Sequence, residues 1–255
     1  MLLSGARVLL MQIAHPLVAE SVYQHSYMFS KPYLRLKRTL DLTLATVFGT
    51  VDEVHAAIDE IDRVHRTATG RLENAAGHFP SGTPYNPRNP KLAMWVFATL
   101  VEGALHAYEN FLSPLSNSDK QAFYVDSLQF ADLFGIKATR LPATYDGLLD
   151  YIYTSIEDGT VAVGDTARKI APYILLQTRW YALPLSYPIS RLSISLLPDR
   201  LREQYGYQLH PLEAAGVNVG LQFTRAIVPI LPSVLRYVRP YHHAQAILNR
   251  QTHNP

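Results

Sequence analysis

Apolar residues recur at helical spacing, i, i+3, i+4 and i+7, along nearly the whole chain, and no segment alternates strictly between apolar and polar residues between hairpin turns. That pattern points to one fold class, all-α. It predicts about ten helices, running from Gly5 to Tyr23, Pro32 to Phe48, Val51 to Thr69, Pro90 to Leu112, Ser118 to Phe134, Tyr145 to Asp158, Gly164 to Leu176, Ile189 to Ser195, Asp199 to Tyr205 and Pro211 to Val228, with a final one near Val234. Pro32 and Pro90 suit first-turn positions, Gly49 and Gly135 suit C-terminal caps, and Asn117 or Ser118 can accept from the free amides that open the next helix. The stretch from Gly70 to Asn89, punctuated by GHFPSGTPYNP, is the one long loop, either a lid over a site or a surface crossing. No composition shift or internal repeat marks a second domain, so residues 1–255 read as one domain. At 48% hydrophobic and only 17% charged residues, much of that domain is buried.

The same composition removes several functions. A net charge of +2, with no Lys or Arg run denser than Arg35 to Arg38 inside an amphipathic helix, excludes nucleic acid as a partner. The absence of cysteine excludes disulfides, thiolate-bound haem or zinc, iron–sulfur clusters and cysteine nucleophiles, leaving metal ligation to His, Asp, Glu or Tyr. The run Leu2 to Ala19 is interrupted by Arg7, Gln12 and His15 and lacks a cleavage site, so it reads as a buried helix and not a signal peptide. Leu92 to Leu105 is too short to span a bilayer, and Gly216 to Leu235 carries Asn218, Gln222, Arg225 and Pro229. A cytoplasmic protein is expected. The sixteen tyrosines and the apolar, proline-broken C-terminal third leave room for peripheral membrane contact, a core or a greasy substrate channel.

Polar residues stand out on the first three predicted helices. Val54, Ala57, Ile58, Ile61, Val64, His65 and Ala68 share one face, which aims His65 inward. A buried imidazole needs a hydrogen-bonding group or a metal, since leaving it unpaired costs about 1 to 3 kcal/mol. Arg35, Arg38 and Thr39 fall at i, i+3 and i+4 and form a polar patch opposite Leu36, Leu40, Leu44 and Val47. The patch is either a solvated face or an anion site, and haem propionates are one suitable anion. Gln12 and His15 also share a face, and Pro16 kinks that helix and frees a backbone carbonyl, to which His15 can bond as a structural residue. Asp52 with His55 and Asp62 with His65 have the carboxylate-x-x-His spacing of di-iron bundles. Both pairs lie on one helix, however, where such a centre needs two. Glu102 and His106 lack the full H-E-x-x-H zinc motif.

The blocks GARVLLMQIAHPLVAESVYQHS, RLKRTLDLTLATVFGT, VHRTATG, PYNPRNPKLAMWVFATLVEGALHAYENFLSPLS, LFGIKATRLPATYDGLLDY and LLPDRLREQYGY resemble, in order, those of the haem-dependent oxygenases typified by the latex-clearing rubber oxygenase and the mycophenolic acid pathway oxygenase. The resemblance runs from Gly5 to Tyr207. It implies a globin-like core around a b-type haem, with His65 as the proximal iron ligand and Arg35 and Thr39 as the Arg-x-x-x-Thr motif beside the cofactor. His15 matches the alanine-histidine-proline block and joins the candidate cofactor contacts. Arg38 stands where the rubber oxygenase has a lysine able to cap the distal side of the iron. A guanidinium does not deprotonate to do this, and Arg38 and Thr39 become the candidate catalytic residues. Phe97 stands where the family's tryptophan-valine-histidine block has a histidine. The family's carboxylate base finds no clear match, with Glu20 the nearest acid in sequence. The implied activity is an oxygenase using O2 or peroxide on an apolar, unsaturated small molecule such as an isoprenoid. The alternative is a haem-binding sensor or carrier without turnover.

Overall fold

A computed structural model describes residues 4–27, 29–133, 135–175 and 183–253. The helices are α1 (Gly5–Ala14), α2 (Pro16–His25), α3 (Pro32–Phe48), α4 (Val51–Thr67), α5 (Pro90–Phe111), α6 (Asn117–Leu133), α7 (Tyr145–Glu157), α8 (Asp165–Ile174), α9 (Leu183–Ser195), α10 (Asp199–Gln204), α11 (Pro211–Ile227), α12 (Ser233–Arg236) and α13 (Arg239–His253). The only sheet among the described residues is the antiparallel pair β1 (Gly70–Arg71) and β2 (Pro84–Tyr85), inside the long loop. The expected helix ends at Phe134 and Leu176, like Leu2 of the N-terminal run, lie outside the described residues.

The first expected helix is two. Pro16 has no amide to donate and its ring crowds the carbonyl four residues back, so the chain turns extended at His15 (φ −73°, ψ 120°) and restarts as α2. The indole of Trp95 donates to the carbonyls of both Met11 and Gln12 at 3.2 Å. The His15 ring instead accepts the Leu17 amide at 3.3 Å and caps α2. The expected bond from the ring to a freed carbonyl is therefore replaced by an N-cap. Two further differences lie near the C-terminus. α9 starts at Leu183 and continues through Pro188, and α13 is a helix that the sequence reading does not anticipate.

The core forms where α5 crosses α1 and α7. Leu10, Trp95, Leu148, Ile152 and Ile170 are fully buried there, and the same cluster includes Phe97 and reaches Tyr205. α5 is buried around most of its circumference, so it serves as the central post against which the outer helices lean.

The long loop is clamped. Gly77 adopts φ +54°, and a Cβ there would lie 2.3 Å from the Gly159 carbonyl oxygen. His78 Nε2 makes a short contact to the Asp158 carbonyl beside it. The tip of the loop therefore rests on the α7–α8 turn. Among the described residues no helix is long and apolar enough to cross a membrane.

Candidate functional site

α3 and α4 pack along each other as an antiparallel hairpin. The turn between them needs a residue without a side chain, because a Cβ on Gly49 would lie 2.4 Å from the Ala45 carbonyl oxygen. α4 opens with a capping box, in which Thr50 Oγ1 accepts from the Glu53 amide at 3.4 Å and Glu53 Oε2 accepts from the Thr50 amide at 2.8 Å. Asp52 and Glu53 sit in its first turn and His65 and Arg66 in its last, each matching the helix dipole there.

An ion pair between Arg38 and Glu60 fixes the register of the hairpin. Arg38 also donates to the Tyr27 hydroxyl at 3.3 Å, and Glu60 holds Arg63 at 2.7 and 2.9 Å. With position 38 level with 60, position 35 is level with about 63, so Arg35 and His65 sit at the same end of the hairpin. Arg38 is therefore a staple between the two helices.

Arg35 is different. Its guanidinium has no hydrogen bond or ion pair among the described residues, and burial lowers its proton affinity, opposed only by the field of Tyr27. A shielded guanidinium without a counter-ion is costly and calls for an anion. Thr39 Oγ1 donates to the Arg35 carbonyl at 3.0 Å, which leaves its lone pairs free to accept.

His65 is half-buried and likewise has no hydrogen-bond partner among the described residues. Burial lowers its proton affinity, with the Asp62 carboxylate opposing. The ring is thus held toward the neutral form that a metal requires. Asp62 is itself held by Arg66 at 2.8 Å and by Arg88 of the long loop at 3.1 Å. Along the expected stripe Ala57 and Ala68 are buried, Val54, Ile58 and Ile61 half-buried, and Val64 exposed at its edge. Leu36, Leu40 and Leu44 on α3 are also only half-buried. The apolar interior of the hairpin is thus incompletely covered by the described residues, which fits a flat apolar group with acidic substituents.

The same end of the hairpin meets α2 where Ser21 Oγ donates to the Ala68 carbonyl at 3.4 Å. Next to it Glu20 is fully buried. Its Oε2 accepts from Thr166 Oγ1 at 2.9 Å and its Oε1 from Gln24 Nε2 at 2.7 Å. Gln24 Oε1 accepts from the Tyr85 hydroxyl at 2.6 Å, and that hydroxyl meets His25 Nε2 at 3.1 Å. Burial, together with Glu20 and Glu73, pushes Tyr85 up to about 12. The only sequence signal for this network is an acid inside the apolar run HPLVAESV, because Thr166 and Tyr85 arrive from distant positions.

His15 lies apart from the hairpin, in an open cleft of about 780 Å³ with Phe79, Leu92, Met94 and Tyr151. Burial pushes it down to about 4, and its ring lies 5.4 Å from that of Phe79. Glu102 is bound to Arg7, and among the described residues no three His, Cys, Asp or Glu side chains converge, so neither a zinc nor a di-iron centre finds a ligand set there.

A mostly helical chain holds an unpaired, shielded guanidinium and a half-buried imidazole at one end of an apolar hairpin. The chain belongs to the family of ER-bound oxygenase mpaB/B' and rubber oxygenase catalytic domains, whose profile matches residues 1–228. Membership supports an oxygenase activity in general. No curated protein and no solved structure gives a match.

Proposed function

We propose that the protein is a haem-dependent oxygenase that uses O2 or peroxide on an apolar, unsaturated small molecule, with a globin-like helical core around a b-type haem. His65 would hold the iron and Arg35 would pair with an acidic substituent of the haem. The observation that carries this reading is the pairing, at one end of the hairpin, of an imidazole and a guanidinium that both lack partners among the described residues. Bound there, the haem would supply the oxidising chemistry, which belongs to the cofactor.

The chain's own residues bind and orient. Leu36, Leu40, Ile58 and Ile61 offer apolar surface to the macrocycle or the substrate and exclude water. Thr39 and Arg38 would stand beside the reacting pocket, Thr39 as an acceptor and Arg38 as a fixed cation that cannot cap the iron. Glu20, dry and held by Thr166 and Gln24, is a fixed hydrogen-bond acceptor near the start of the hairpin. His15 has no role in this scheme beyond capping α2.

The test is the absorption spectrum of purified protein reconstituted with haem, beside His65→Ala. A Soret band lost or strongly shifted in the variant supports the ligand assignment, and a band unchanged in position and intensity overturns it.

A further inference from the structure

α11 is apolar on two opposite sides. Its inner side seats Leu221 against Ala107 and Phe111, with Val217 and Leu192 around them. On the other side Leu212, Val219 and Phe223 fall within about 20° of a single line on a 3.6-residue helix, and Ile230 lies in the tight turn that follows. These four are 87, 66, 65 and 75% exposed, and Val234 on α12 is 77% exposed. Of the described large apolar side chains more than 60% exposed, only Val51 lies elsewhere. A helix apolar all round is ordinarily covered all round, and a contiguous exposed patch marks an interaction surface.

Charge identifies the occupant. From Ala214 to Pro255 the chain has no Asp or Glu, whereas it has Arg225, Arg236, Arg239 and Arg250 and three histidines. Tyr237 stacks on Tyr241 at 4.4 Å between centroids, giving amphipathic rings of the kind enriched at a membrane–water boundary. We propose that the segment from Leu212 to Arg250 docks on an anionic lipid bilayer, with the outer face of α11 buried in the headgroup region and the arginines of α12 and α13 against the phosphates.

A second copy of the chain fits worse. An isologous contact through this face would set two cationic segments against each other, their one acid, Glu213, being already paired with Arg191, whereas anionic headgroups neutralise them. Since no described helix can span a membrane, the segment lies on the surface. The family match ends at residue 228, so α12 and α13 lie outside it. α13 packs on α3, with Tyr241 5.9 Å from Phe48, so docking would bring the bilayer beside the hairpin that carries Arg35 and His65. The docking does not rest on the haem reading.

The experiment is co-sedimentation of the full chain, without added haem, with vesicles of equal parts phosphatidylglycerol and phosphatidylcholine or of phosphatidylcholine alone. Strong binding to the anionic vesicles and weak binding to the neutral ones is expected. Val219→Asn/Phe223→Asn should lower partitioning about tenfold or more, with an unchanged far-ultraviolet spectrum because both side chains point away from the core. Arg239→Gln and Arg250→Gln should each lower it roughly fivefold at low salt, and they serve as the second readout if the double variant misfolds. No sedimentation with anionic vesicles, or undiminished binding of folded variants, overturns the proposal. So does a dimer that Phe223→Asn dissociates in a chain that ignores vesicles.

Discussion

Arg7 and Glu102 face each other through two parallel hydrogen bonds of 2.7 and 2.8 Å, with side chains 2 and 5% exposed. Arg7 Nε also donates to the Leu196 carbonyl at 2.6 Å, so the pair ties α1 to α5 and to the end of α9. Geometry of this quality compensates for desolvation only while both partners are present. Glu102→Leu strands the guanidinium and should cost about 3 to 5 kcal/mol. Arg7→Met/Glu102→Leu should recover most of that loss, as measured by urea unfolding. A double variant as unstable as the single one would mean that packing, and not the stranded charge, sets the cost.

Arg35 gives the opposite sign. Its guanidinium is shielded and has no partner among the described residues, so it destabilises the protein when no anion is bound. Arg35→Ala should raise the midpoint of unfolding of the haem-free protein while weakening haem binding about tenfold or more, the scale of one charge-assisted hydrogen bond. The two changes are measured separately, by calorimetry and by haem titration. A variant less stable in the haem-free state would show that Arg35 already has a structural role.

Two histidines should make the fold acid-sensitive. Burial pushes His15 down to about 4, and burial with the nearby Arg7 pushes His106 down to about 4. In the unfolded chain both rings titrate near 6.5. Between those values the unfolded state binds more protons, so stability falls as the pH drops from about 6.5 and the loss is complete below about 4. For His15, only 5% exposed, the whole window amounts to about 3 kcal/mol. His15→Asn keeps an acceptor for the Leu17 amide and should flatten the profile by one proton's worth. Urea midpoints for both proteins across the window give the comparison, and parallel profiles would refute the assignment.

What could be read from the sequence follows the range of the forces involved. The kink at Pro16 and the proline and glycine punctuation of α3 and α5 are set by nearest neighbours, so they were legible, although the kink is a full break into two helices. The stripe on α4 was legible as a pattern, but its covering was not. His65 is only half-buried because the described residues leave the inner side of the hairpin open. Arg7 meeting Glu102 and Thr166 meeting Glu20 join positions far apart in the chain, where spacing carries no information. Arg38 and Arg35 look alike in sequence, and only the register of the hairpin gives one an ion pair and leaves the other without one. α13 was missed because RPYHHAQAILNRQTH shows a weak apolar stripe and its support comes from α3.

The loop from Gly70 to Asn89 is fixed at its tip by the contact of Gly77 with Gly159. Gly77 has φ +54°, a region costly for side chains, and a Cβ there would press on the Gly159 carbonyl oxygen at 2.3 Å. Gly77→Ala therefore meets both penalties, about 1 to 3 kcal/mol, and must lift the tip of the loop away from the α7–α8 turn. The loop also carries Arg88 to Asp62, one turn before His65, so its release should be felt on α4. Faster amide exchange is expected over residues 72–83 and at the C-terminal turn of α4, with the core of α5 unchanged. Exchange that quickens evenly through the protein would mean global destabilisation and would remove the loop as a separate clamped unit. Exchange confined to the loop would show that Arg88 does not couple it to the helix bearing His65.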